Sequence, residues 1–181
     1  DVWKDIVLRR GNRHPATFGS TIVTLEKAAT VTLGGNDDFE FVVANAVSPE
    51  WAVGHVKGAT GPSTPARWDT ESGDYEFLSI ESGSATGVAA DGTAVGWVID
   101  AVSGVEGRVW GQASTTSLGP QTRAYGISPS AQFIAGTTGQ QGTVWGGHSG
   151  NAQMVQSNGF WSRLNDVSSS GLAVGSRGNA L

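Results

Sequence analysis

The stretch Gly87-Val-Ala-Ala-Asp-Gly-Thr-Ala-Val-Gly96 decides the fold, because the chain carries it in four versions. The others are Ala46-Val-Ser-Pro-Glu-Trp-Ala-Val-Gly54, Gly126-Ile-Ser-Pro-Ser-Ala-Gln-Phe-Ile-Ala-Gly136 and Asp166-Val-Ser-Ser-Ser-Gly-Leu-Ala-Val-Gly175. Each reads as a small-residue turn, an apolar pair and a closing glycine. The closing glycines are separated by 42, 40 and 39 residues. A near-constant period of that length marks one supersecondary unit repeated, whose neighbours must stack to bury its apolar face.

A second element follows each glycine. Ala66-Arg-Trp68, Arg108-Val-Trp110 and Thr143-Val-Trp145 end a strand with tryptophan 14, 14 and 9 residues after their glycines. Strands are thus held fixed while the connections vary, as surface loops allow. The chain stops at Leu181 before Gly175 acquires its tryptophan, yet it opens on Asp1-Val-Trp3, and end-to-start counting again gives 9 residues. This spacing predicts that the N-terminal strand joins the C-terminal unit, removing an unpaired edge.

Local pattern places strands at Trp51–Val56, Thr93–Ile99, Phe133–Thr137 and Leu172–Ser176, short β-rich runs flanked by glycine. Asp91-Gly92 reads as a two-residue hairpin turn, since glycine takes positive φ freely. Pro49-Glu50 and Pro129-Ser130 occupy the same corner, with proline fixing φ. Helical periodicity is absent over any useful length. The fold class expected is all-β, a small β-propeller of four to five blades with five favoured, in one domain over 1–181. Its units are about 44–83, 84–122, 123–163 and 164–181 plus 1–10. Residues 12–43 form a degenerate unit of three strands, Thr21–Leu25, Thr30–Leu33 and Phe39–Val43.

Glycine, 27 of 181 residues, supplies many tight turns, and charged residues reach only 15%. The apolar content is too high and the charge too low for a disordered chain. Net charge is −5 and the 11 basic residues are scattered apart from Arg9, Arg10 and Arg13, which argues against a nucleic-acid partner. Apolar runs are too short to insert into a membrane. With no cysteine, disulfides and thiolate metal sites are excluded. The opening on Asp1, low charge and abundant Ser, Thr and Gly suggest a secreted product.

The unit Val88-Ala-Ala-Asp-Gly-Thr-Ala-Val-Gly96 resembles the bacterial extracellular HAF-type repeats, a branch of WD40-like β-propeller sequence. The resemblance covers about 44–181, with Asp-Gly kept in one copy and the His-Ala-Phe element absent. It implies a propeller and an extracellular location. It implies no particular activity, since one fold hosts many.

Candidate residues are weighed against structural roles. Trp3, Trp68, Trp110 and Trp145 recur once per unit, which suits packing between units. Trp51, Trp97 and Trp161 fall outside that register. Trp97 follows its glycine where the other copies have His55, Thr137 and Ser176, a variable position suited to ligand contact. Trp51, His55, Trp97 and Trp161 are therefore the candidate ligand-binding residues. No metal site is expected: His14, His55 and His148 have no ligand spacing, and Asp37, Asp38 and Glu40 lack the calcium-loop pattern. Asp69, Glu71 and Asp74 read as a hairpin connection, and Gly147-His-Ser-Gly150 lacks an acid partner. No catalytic residue and no cofactor is assigned. Three functions stay open. The first is a secreted binding module for a glycan or an extracellular protein. The second is a structural or assembly subunit of a larger propeller, of undetermined oligomeric state. The third is a carboxylate-dependent glycoside hydrolase.

Overall fold

The computed structural model describes residues 39–147, 151–154 and 160–179. The chain divides into two units, Asp1–Thr32 and Leu33–Leu181. The first lies wholly outside the described residues, together with the expected strands Thr21–Leu25 and Thr30–Leu33, the Asp1-Val-Trp3 segment, His14, Asp37, Asp38 and His148.

Every regular element described in the second unit is a strand. β1 (Phe39–Val47), β2 (Trp51–Gly58), β3 (Ser63–Asp69) and β4 (Tyr75–Phe77) form one antiparallel sheet in chain order. β5 (Ser82–Val88), β6 (Ala94–Asp100), β7 (Gly104–Trp110) and β8 (Thr115–Pro120) form the second. β9 (Thr122–Ile127), β10 (Phe133–Thr138), β11 (Gln141–Gly146) and β12 (Asn151–Met154) form the third. β13 (Phe160–Val167) and β14 (Ala173–Asn179) form a two-stranded fourth. Residues Phe39–Val43, which the sequence groups with 12–43, lie in β1 and pair with β2 in the first sheet.

Each sheet begins with the strand before the repeated corner. In the first sheet Pro49-Glu50 makes a two-residue connection, Ser48 N–H donating to Trp51 O at 2.7 Å. In the second sheet the corner is a turn closed by a residue at positive φ, not the two-residue hairpin expected at Asp91-Gly92. Gly92 donates its N–H to Ala89 O at 3.1 Å, which puts Ala90 and Asp91 in the centre of the turn and Gly92, at φ 82°, after it. Asp91 Oδ1 accepts the Thr93 N–H at 2.9 Å and fixes this longer connection. Pro129 sits at the first central position of the equivalent turn, Ala131 donating to Ser128 O at 2.9 Å.

The closing glycines have a single shared cause. In each sheet the first strand carries a β-bulge opposite the glycine, leaving Asn45, Thr86, Tyr125 and Asn165 without a register partner. The bulge tips a carbonyl toward the second strand. A Cβ on Gly54, Gly96, Gly136 or Gly175 would overlap the carbonyl oxygen of Val43, Ser84, Arg123 or Arg163 respectively. Any side chain at these four positions would break the ladder.

Consecutive sheets meet in the same way three times. β5 lies against β1, β2 and β3, β9 against β5, β6 and β7, and β13 against β9, β10 and β11. Apolar clusters fill these junctions. Val53 meets Ala85, Ala94, Val98 and Trp110, while Val95 and Val109 meet Ala124, Ile127, Ile134 and Trp145. Trp68, Trp110 and Trp145 are at most 2% exposed, as expected of packing residues. In the ladders they stand opposite Ala52, Ala94 and Ile134. A small partner in the first two cases leaves room for the indole.

Polar rungs repeat beside the apolar ones. Gly107 N–H donates to Thr122 Oγ1 at 2.7 Å, and Gly142 N–H to Ser162 Oγ at 2.7 Å. Both are buried bonds from a third strand to the first strand of the next sheet. The corresponding residues at the earlier junction, three before Trp68 and three before Thr86, are Pro65 and Gly83. Proline has no N–H to donate and glycine no hydroxyl to accept it, so donor and acceptor are lost together.

Candidate functional site

The bulges that create the glycine rule also aim side chains across each junction. Asn45 Nδ2 donates to Ser84 Oγ and to Ala85 O, both at 2.8 Å. Thr86 Oγ1 donates to Ala124 O at 2.8 Å. Ala85 and Ala124 each precede the bulge of their own sheet, so the two bonds are the same contact made by different residue types. Tyr125, the third bulge residue, lies beneath the Arg163 guanidinium, 3.8 Å from its ring centroid.

The residue after each closing glycine lies next to this row. His55 Nδ1 and Ser84 Oγ are 3.0 Å apart. Burial holds the imidazole pKa below its ordinary value by disfavouring the charged form. Trp97, the equivalent residue one sheet on, lies under the Arg123 guanidinium, 4.9 Å from its ring centroid. His55 and Trp97 are related through Ser84, which bonds the first and pairs in register with the second. The variable position therefore lies on the second strands, paired with the first strands through which neighbouring sheets meet.

Trp51 and Trp161 are placed differently. Trp51 begins β2 beside the corner turn, four residues from His55, or roughly 13 Å along a strand. The Arg67 guanidinium covers its ring at 4.8 Å. Arg67 is itself only 6% exposed and ties Glu76 to the Gly92 carbonyl of the next sheet. Trp51 is thus part of a clamp between the first two sheets. Trp161 stands opposite Gly178, against which its indole is laid, and is 40% exposed. It lies on the same face of β13 as Arg163, two residues away.

Three residues of the row, Arg123, Tyr125 and Arg163, were not singled out by sequence reasoning. A signal was present, since Arg123 and Arg163 are 40 residues apart, one repeat. Both arginines are exposed and Tyr125 half-buried. Among the described residues neither guanidinium has a carboxylate partner, whereas Arg67 pairs with Glu76 and Arg108 with Glu81 and Glu106.

Acid chemistry finds less support. Among the described residues, the carboxylates with displaced pKa values are all displaced downward. Asp69 accepts backbone N–H groups of Ser72 and Glu71, and Asp100, held by those of Ser103 and Val102, falls to about 2. Glu106 is lowered chiefly by the Ser117 hydroxyl. A general acid for glycoside cleavage needs the opposite shift. A shallow cleft of ≈ 280 Å³ lies between Arg67, Glu76, Phe77, Trp110, Gln112 and Thr115, holding one carboxylate already paired to Arg67. No cluster of three metal-ligating side chains occurs among the described residues. No family model, no curated protein and no solved structure matches the chain.

Proposed function

We propose that this chain is a non-catalytic, extracellular binding module of the propeller type that takes glycans along the row of first strands. The observation that carries the reading is the variable residue beside an invariant frame. Each closing glycine is forced by a bulge, while the next residue changes from His55 to Trp97 to Thr137 to Ser176. Constant backbone with changing side chains is the arrangement of a scaffold presenting contacts. His55, Trp97 and Trp161 belong to this face, and Trp51 belongs to the clamp between sheets. The resemblance to HAF-type repeats supports the extracellular setting, and several weak sites on one rigid frame would gain avidity for a multivalent glycan. A broad glycan array tests the reading, with tryptophan fluorescence following hits in solution. Binding that weakens at least tenfold in Trp97→Ala or Trp161→Ala is the expected result. Silence across the array contradicts it.

A second reading, an assembly subunit, draws on the fourth sheet. Val174 is 59% exposed, while its counterparts Val53 and Val95 are fully buried by the next sheet. On the propeller reading, with four to five blades, this face and the outer edge of β14 take a further strand. The sequence spacing assigns Asp1-Val-Trp3 to that edge.

A further inference from the structure

The aromatic rings of the row suggest stacking platforms for neutral sugars, but two of them are already occupied by guanidinium groups. Arg123 lies on Trp97 and Arg163 on Tyr125. A guanidinium held over a ring can keep N–H groups free for a further partner, which suits recognition of carboxylate. Both arginines occupy the same place in the repeat, two residues before the bulge of β9 and of β13. Both are exposed although the sheets around Arg123 are stacked on each side. They also lack a carboxylate partner among the described residues of a chain whose net charge is −5.

We propose that Arg123 and Arg163, mounted on Trp97 and Tyr125, bind two carboxylates of a linear polyuronate, a polysaccharide with one carboxylate on each sugar ring. This rests on the glycan-binding reading and narrows it to an acidic ligand. Face-to-face sheets stack about 10 Å apart, more than the length of one sugar ring, so the two guanidiniums take carboxylates on non-adjacent rings. A polyuronate repeats its carboxylate along a stiff chain, and stiffness limits the ordering cost of engaging two sites at once. Trp161, on the same face of β13 as Arg163, would meet the ring next to the second carboxylate. An acidic peptide offers the same charge without that stiffness or the flat ring for Trp161.

The test is calorimetric titration of the full chain with an oligogalacturonate, with the same oligomer after its carboxylates are reduced to alcohols, and with polyglutamate. The oligogalacturonate binds, and the reduced oligomer and polyglutamate bind at least tenfold more weakly. Arg123→Gln and Arg163→Gln each lower affinity at least tenfold with an unchanged melting temperature. Arg163→Lys, which keeps charge but loses the planar fork, does not restore it. Equal binding of the reduced oligomer overturns the acidic-ligand proposal and leaves the glycan-binding reading standing. Equal binding of polyglutamate, or indifference to all three substitutions, overturns it as a nonspecific polyanion effect. No binding of either oligosaccharide overturns the proposal, and a silent glycan array overturns the reading beneath it.

Discussion

At the residue scale, glycines in this chain do two different jobs that the sequence alone does not separate. Gly136 is needed because a Cβ would overlap the Arg123 carbonyl, whereas Gly139 is needed only for its φ of 57°, with nothing within 4 Å of an added Cβ. Gly136→Ala therefore costs about 3 kcal/mol, since backbone must move. Gly139→Ala costs roughly 1–2 kcal/mol, the strain of a left-handed alanine. Chemical denaturation of the two variants checks the difference, and equal losses would refute the bulge argument. His55 gives a pH signature. Its folded pKa is depressed, so its contribution is fully present above the unfolded value of 6.5 and is lost as pH falls through the folded value. Wild type should lose stability relative to His55→Gln on acidification below pH 6.5, read as a narrowing gap in melting temperature. The repeat exposed the position of His55 and Trp97. Arg123 and Arg163 stayed hidden because their importance comes from rings on the sheet before, a contact with no sequence periodicity of its own.

At the scale of strands and sheets, the corner motifs and tryptophan strands were legible because period-2 patterning and turn residues are local. Trp68, Trp110 and Trp145 end up buried at the places where the repeat put them. The bulges were not legible. A bulge adds one residue to a strand without a compositional mark, and Asn, Thr, Tyr and Asn share only an uncharged hydrogen-bond donor, too common a property to reveal a common position. The same applies to the turn at Asp91-Gly92, where the glycine follows the central pair and lengthens the connection. The rungs between sheets make a prediction of their own. Thr122→Val keeps shape but leaves the buried Gly107 N–H without an acceptor, costing about 1–3 kcal/mol in urea unfolding. Ser162→Ala does the same to Gly142. The junction with Pro65 and Gly83 has no such rung, and Gly83→Ser there would gain no bond while its Cβ overlapped the Trp97 carbonyl oxygen.

At the scale of the molecule, three four-stranded sheets and a two-stranded fourth meet in chain order, each through its first strand. The last sheet ends at β14 with Val174 exposed. In the complete sheets the residue before the closing glycine faces the residue before the tryptophan: Val53 faces Arg67, Val95 faces Val109 and Ala135 faces Val144. If the Asp1-Val-Trp3 segment supplies the next strand, as proposed, the same register pairs Val174 with Val2. The chain has no cysteine, so Val2→Cys with Val174→Cys is a clean probe. Closure in cis yields an intramolecular disulfide under oxidation, a monomeric mass and a raised melting temperature. A disulfide-linked dimer would instead make β14 an interface between copies.

The central claim is that ligand contact runs along the first-strand row. The most direct measurement is nuclear magnetic resonance of the tryptophan indole and arginine side-chain N–H groups during titration with an oligosaccharide that binds. Shifts are expected at Trp97, Trp161, Arg123 and Arg163, with Trp68, Trp110 and Trp145 unmoved. Shifts gathered instead around Arg67, Gln112 and Trp110 would place the ligand in the cleft beside Glu76 and contradict it.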